Sequence, residues 1–99
     1  MSFEEIVEAA LSELPPELAR GLENVAIVIE EERADDPDLF GLWEADEYMP
    51  DKITIFRRPL VRSFPGPEEL QEEIRITVLH ELAHYFGIDE DRLEELGYG

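Results

Sequence analysis

Two histidines and a glutamate are the residues of this sequence best suited to chemistry. His80, Glu81 and His84 stand in the order H-E-x-x-H, and the chain of 99 residues contains no other histidine. Residues four apart lie about 40° from each other around an α-helix, so the two imidazoles can converge on one metal ion. Two histidines placed at random in this chain would be four apart in only about 2 % of arrangements. The spacing therefore predicts a metal site held by His80 and His84.

Glu81 is expected to lie to one side of the metal ion and not among its ligands. It lies about 100° around the helix from His80, from where its carboxylate can reach a water next to the ion. Zinc lowers the pKa of such a water to about 7, and a carboxylate can accept the proton as the water attacks a carbonyl. The motif thus predicts zinc as the cofactor and Glu81 as a catalytic general base.

A third ligand is expected, because catalytic zinc sites usually take three protein groups and leave one position for water. The chain has no cysteine and no third histidine, so this ligand must be an oxygen. Asp89 is close to His84 in sequence and would also cap a final helix, whereas Glu94 lies one turn further along that helix. A site of two histidines and waters alone is the remaining possibility. The nearby acids are Asp89, Glu90, Asp91 and Glu94.

The motif lies in the longest predicted helix, over residues 67–86, which Pro67 begins and Gly87 ends. Apolar residues cover most of the circumference of this helix, and we expect Tyr85 and the distant Trp43 to belong to the core. Polar residues on a buried helix need partners or must line a cleft. The polar stripe consists of Glu73, Thr77, His80, Glu81 and His84.

The remaining elements predict an α+β fold, with helices against a small mixed sheet. Ser2 and Glu5 form a capping box for a first helix. The apolar run at 25–29 predicts a strand covered on both faces, and Pro59 argues against continuing the third strand. The predicted helices span residues 3–14, 17–22, 67–86 and 90–96, and the strands span 25–29, 40–43 and 52–56.

Composition narrows the classes of function. With 26 acidic and 8 basic residues the net charge is −18, which argues against nucleic-acid binding and against an anionic membrane surface. No apolar run is long enough to span a membrane, and the acidic N-terminus does not resemble a signal peptide. The absence of cysteine fits a cytoplasmic protein. A single Asn and a single Gln hint at a thermophilic source.

A basic island lies within this acidic chain, because residues 52–67 contain four cations and no acid. These cations could grip a substrate carboxylate. We favour the alternative that the arginines neutralise nearby acids on the surface. The four residues are Lys52, Arg57, Arg58 and Arg62.

The segment around the motif resembles the zincin-like metallopeptidase family, whose small members are sometimes called minimal zincins. The likeness rests on TVLHELAHYFGI at residues 77–88, DRL at 91–93 and ELGY at 95–98. It extends upstream to NVAIV at 24–28, GL at 41–42 and IT at 53–54, and so covers most of the chain.

The resemblance implies a minimal zincin-like fold, in which a small mixed sheet packs against a long active-site helix with N- and C-terminal helices. It implies one domain over residues 1–99, a bound zinc and a peptidase role. Related zinc proteases supply their third ligand six residues after the second histidine and three after the glycine. This position is Glu90, and the break at Gly87 lets the chain turn back toward the metal.

We therefore expect a zinc-dependent metallopeptidase that hydrolyses peptide bonds in peptides or unfolded protein segments, with Glu81 as general base. An exposed edge strand, at residues 53–56, is expected to pair with the extended substrate. The main alternative is a metal-stabilised protein-binding module without turnover. Another is a zinc hydrolase that acts on a non-peptide bond.

Overall fold

The computed structural model describes residues 2–95 and, for Glu90 and Leu93, the backbone alone. The expected α+β architecture is confirmed, with helices and a three-stranded mixed sheet. The predicted end of the last helix at Leu96 lies outside the described residues. In chain order the elements are α1 Phe3–Ser12, α2 Pro16–Ala19, a 3₁₀ turn Arg20–Leu22, β1 Val25–Glu30, β2 Gly41–Glu44, β3 Asp51–Phe56, α3 Arg57–Ser63, α4 Pro67–Tyr85 and α5 Glu90–Glu95.

The sheet has the strand order β1-β3-β2, with β1 parallel and β2 antiparallel to β3. The expectation that the third strand is an exposed edge is wrong, since β3 lies in the centre and Ile53, Thr54 and Ile55 are fully buried. Side chains on both of its faces are covered, as a central strand allows. The strand at the edge next to α4 is β2.

The prediction that residues 25–29 form a strand covered on both faces is also wrong. β1 is an edge strand in which Ala26 is exposed and the rest are at most half-buried. Val25, Ile27 and Ile29 pack against the core, because alternate residues of a strand share one face. An apolar run of five residues does not show whether the second face is covered.

Local signals fix the ends of the helices. Ser2 and Glu5 form the predicted capping box, with two reciprocal hydrogen bonds of 3.1 Å. α4 follows its predicted bounds closely, and the chain leaves it through Gly87 at φ +71°, a conformation that favours glycine. Helix α3 was not predicted. Pro59 does end the strand early, but it lies in the first turn of this helix, where a missing N–H is tolerated.

The core lies on the face of the sheet that carries Ile53 and Ile55. α4 supplies the largest share of its buried side chains, and α1 packs against α4. This packing makes α4 a rigid base for its polar residues. The buried residues of α4 are Leu70, Ile74, Val78, Leu79, Leu82 and Ala83.

The arginines of the basic island make the surface ion pairs that we favoured for them. Arg57 contacts Glu31 at 2.6 Å, and Arg58 contacts Glu32 at 3.1 Å. Arg62 contacts Asp38 at 3.3 Å. Among the helices described, none is long and apolar enough to cross a membrane.

Candidate metal centre

His80 and Glu81 line an open cleft of about 340 Å³ between α4 and the start of β2. Both side chains are half-buried. The expectation that the polar stripe of the long helix has partners or lines a cleft is thus met by its central residues, which line this cleft. The other residues that line the cleft are Asp36, Asp38, Leu39, Phe40, Gly41 and Thr77.

His84 lies one turn further along α4, where its side chain is exposed. The two imidazoles share one side of the helix with Glu81 between them in sequence, and imidazole is a preferred zinc donor. The donor set therefore fits a zinc ion. Within residues 2–95 no group of three or more His, Asp or Glu side chains is arranged to hold a metal, with Glu90 outside that search. His80 and His84 remain predicted ligands.

The segment after α4 carries the candidates for the third ligand. Ile88 N donates to Ala83 O at 2.7 Å, which turns the chain back before α5 begins at Glu90. Asp89 caps α5 as predicted, because its Oδ1 accepts a hydrogen bond of 2.8 Å from Arg92 N. The side chain of Glu90 lies outside the described residues, so its assignment as ligand stays a prediction.

Glu81 is held by the edge of the sheet. Its Oε2 accepts a hydrogen bond of 3.0 Å from the backbone N–H of Trp43, and both residues are half-buried. A backbone donor of this kind is independent of residue type, so the sequence carries no signal for it. The contact holds the candidate general base against β2 through one of its two carboxylate oxygens.

A second contact between β2 and α4 corrects the prediction for Tyr85. This residue is 54 % exposed and not part of the core. Its ring stacks on Trp43 with centroids 4.3 Å apart and planes inclined by 16°. A helical wheel assumes that every turn of a helix is covered equally. At the last turn of α4, Trp43 of the edge strand β2 covers one face of the Tyr85 ring. Trp43 itself is half-buried, and its indole N–H donates to Asp51 at 3.3 Å.

The rim of the cleft is acidic. Asp36 and Asp38 line it together with Glu81, and Arg62 pairs with Asp38 at 3.3 Å. Neighbouring carboxylates raise the local affinity for cations. The structure thus places His80 and Glu81 in an open, acidic cleft, with His84 exposed one turn further along α4.

A family model described as zincin-like metallopeptidase matches residues 22–99. The match includes the whole sheet and α4, and therefore all the elements that build the cleft. No curated protein matches the sequence.

Proposed function

This chain belongs to the zincin-like metallopeptidase family, and we propose that it is a zinc-dependent peptidase that cleaves extended peptides. The observation that carries the proposal is the position of Glu81. Its carboxylate accepts the Trp43 N–H of β2 and lines the same cleft as His80, a predicted metal ligand. A purely structural metal site would not need a carboxylate at this position.

In this proposal His80 and His84 hold the zinc ion, and Glu90 supplies the third ligand. When bound, zinc would polarise the substrate carbonyl and activate the attacking water. The protein contributes the orientation of both imidazoles through α4, which is anchored in the core on the opposite side. Asp89 would then act as helix cap and not as ligand.

Glu81 is the general base. Its Oε2 accepts the N–H of Trp43, and no donor within residues 2–95 contacts its Oε1. This oxygen can therefore accept the proton of the attacking water and then deliver it to the amine that leaves. A carboxylate held by one oxygen needs little reorganisation for either transfer.

The open edge of β2 supports an extended peptide as the substrate. Phe56 N donates to Phe40 O at 2.9 Å, so in this antiparallel pair the backbone groups of Leu42 and Glu44 also face β3. Those of Gly41 and Trp43 face away from the sheet. The N–H of Trp43 already donates to Glu81, so a substrate strand could pair with the outward N–H and C=O of Gly41 and with the C=O of Trp43. A peptide within a folded protein has its backbone already paired, so we expect unfolded segments to be cleaved faster.

The test is metal analysis of untagged protein, followed by cleavage of a peptide library. We expect about one zinc per chain and cleavage that Glu81→Gln reduces by roughly 100-fold or more with zinc retained. Glu8→Gln, on the exposed surface of α1, makes the same change of charge away from the cleft and should leave the rate unchanged.

Two outcomes would contradict the proposal. Metal-replete protein that binds no divalent transition metal at neutral pH would exclude the zinc site. Zinc binding without cleavage of any library peptide would favour the alternative, a metal-stabilised binding module without turnover.

A further inference from the structure

We propose that β2 and α4 are held in a fixed register that orients Glu81. In this register the backbone N–H of Trp43 donates the hydrogen bond that positions Glu81. Gly41, which has no side chain, lets β2 lie close to α4. The inference rests on the proposed peptidase function and names positioning residues for it. Neither residue is a metal ligand, and both act through Glu81.

Three contacts along the seam between β2 and α4 define the register. Gly41 lies against Thr77, the N–H of Trp43 meets Glu81, and the indole of Trp43 stacks on Tyr85. The helix positions follow at intervals of four residues, or about 6 Å of rise. The two strand positions are two residues apart, or about 6.8 Å. The interval from Thr77 to Glu81 thus nearly matches that from Gly41 to Trp43, and the indole of Trp43 reaches one turn further, to Tyr85.

Gly41 sets how closely the strand lies on the helix. A Cβ at this position would lie 2.6 Å from Cγ2 of Thr77, a distance at which atoms must move. The methyl group cannot readily turn away. Thr77 Oγ1 donates to Glu73 O at 2.8 Å, and a β-branched side chain in a helix has few rotamers. The strand would have to shift, and with it the N–H of Trp43.

The Trp43 amide gives a direct report of the register. This N–H faces away from β3, so among the described residues its acceptor is the Glu81 carboxylate alone. Loss of that bond should be visible in the amide proton shift and in the rate of hydrogen exchange. Both can be measured without metal and without substrate.

The experiment compares Gly41→Ala in the wild-type chain with the same change in a Thr77→Ser background. Serine keeps the hydroxyl that bonds Glu73 and removes only the methyl group that the new Cβ on β2 would meet. In the wild-type chain we expect Gly41→Ala to expose the Trp43 amide to exchange and to lower kcat by about 10- to 100-fold, as for other orienting groups. KM and zinc affinity should change much less. In the Thr77→Ser background, Gly41→Ala should leave most of the exchange protection of the Trp43 amide and most of kcat intact.

Two results would overturn the inference: an unchanged Trp43 amide in Gly41→Ala, or equal losses of kcat in both backgrounds. If Gly41→Ala does not fold, Glu81→Ala provides a second test, because it should release the Trp43 amide from its protected state. An amide that is unaffected by Glu81→Ala would also refute the register. If the wild-type protein cleaves no peptide but the amide responds as expected, the peptidase proposal fails and the register stands.

Discussion

The two edges of the sheet differ in what lies beside them. The β2 edge borders α4, where Trp43 makes a half-buried hydrogen bond with Glu81 and stacks on the partly covered ring of Tyr85. The β1 strand is followed by acidic residues that form ion pairs on the surface, such as the pair of Glu31 with Arg57. Contacts of the first kind fix a geometry, because water cannot easily replace them, whereas exposed ion pairs contribute little to stability. Only the β2 edge therefore offers both an open backbone and a held carboxylate.

The largest effect should come from the predicted histidine ligands on α4. His84→Ala removes one of two imidazoles, so zinc affinity should fall by roughly 100-fold or more. Glu81→Gln should leave affinity nearly intact, because Glu81 is assigned to proton transfer and not to the metal. Isothermal titration with zinc measures both. Equal losses of zinc affinity in the two variants would place Glu81 among the ligands and exclude it as the general base.

The third ligand should give the next largest effect. Glu90→Ala removes the expected oxygen donor and should weaken zinc binding by about 10- to 100-fold. Asp89→Ala removes a helix cap, so it should lower thermal stability while changing zinc affinity little. Competition with a zinc chelator measures both affinities. A large loss in Asp89→Ala with none in Glu90→Ala would reverse the assignment.

Most of the helices and the motif could be predicted from sequence because their signals are local, whereas α3, which no side chain caps, was missed. The capping box of Ser2 and Glu5 and the break at Gly87 involve residues a few positions apart. The H-E-x-x-H spacing is of the same kind, since one turn of helix places both imidazoles. The family resemblance is confirmed by the match over residues 22–99.

The arrangement of the strands could not be predicted in the same way. Strand order depends on pairing between distant segments, and both β1 and β3 are apolar enough to occupy the centre. Contacts across the seam are also long-range, and the Trp43 amide that holds Glu81 carries no residue signature. Tyr85 was misplaced for a related reason, because its exposure depends on where the edge strand ends.

A comparison of backbone protection at the two edges should show a smaller but specific effect. An extended peptide, bound to zinc-loaded Glu81→Gln protein to prevent cleavage, should slow hydrogen exchange at the amide of Gly41. That N–H faces outward on β2 and is available for pairing. The amides of β1 should exchange at unchanged rates. Protection at β1, or at neither edge, would mean that the peptide does not add to β2.

The smallest effect should come from the ion pair beside β1. Hydrogen bonds from Arg57 lower the pKa of Glu31 below its usual value near 4.5. A carboxylate whose pKa is lowered in the folded state stabilises the protein above its unfolded-state pKa, and this contribution is lost as the pH falls through the folded-state value. Because the side chains of Arg57 and Glu31 are 38 % and 56 % exposed, water screens the pair and Glu31→Gln should lower Tm at pH 7 by only on the order of 1 °C. The difference from the wild type should shrink as the pH falls below 4.5 and in 1 M salt, whereas Glu8→Gln should show no such dependence. A loss of Tm that persists at low pH would mean that Glu31 supports β1 through packing and not through its charge.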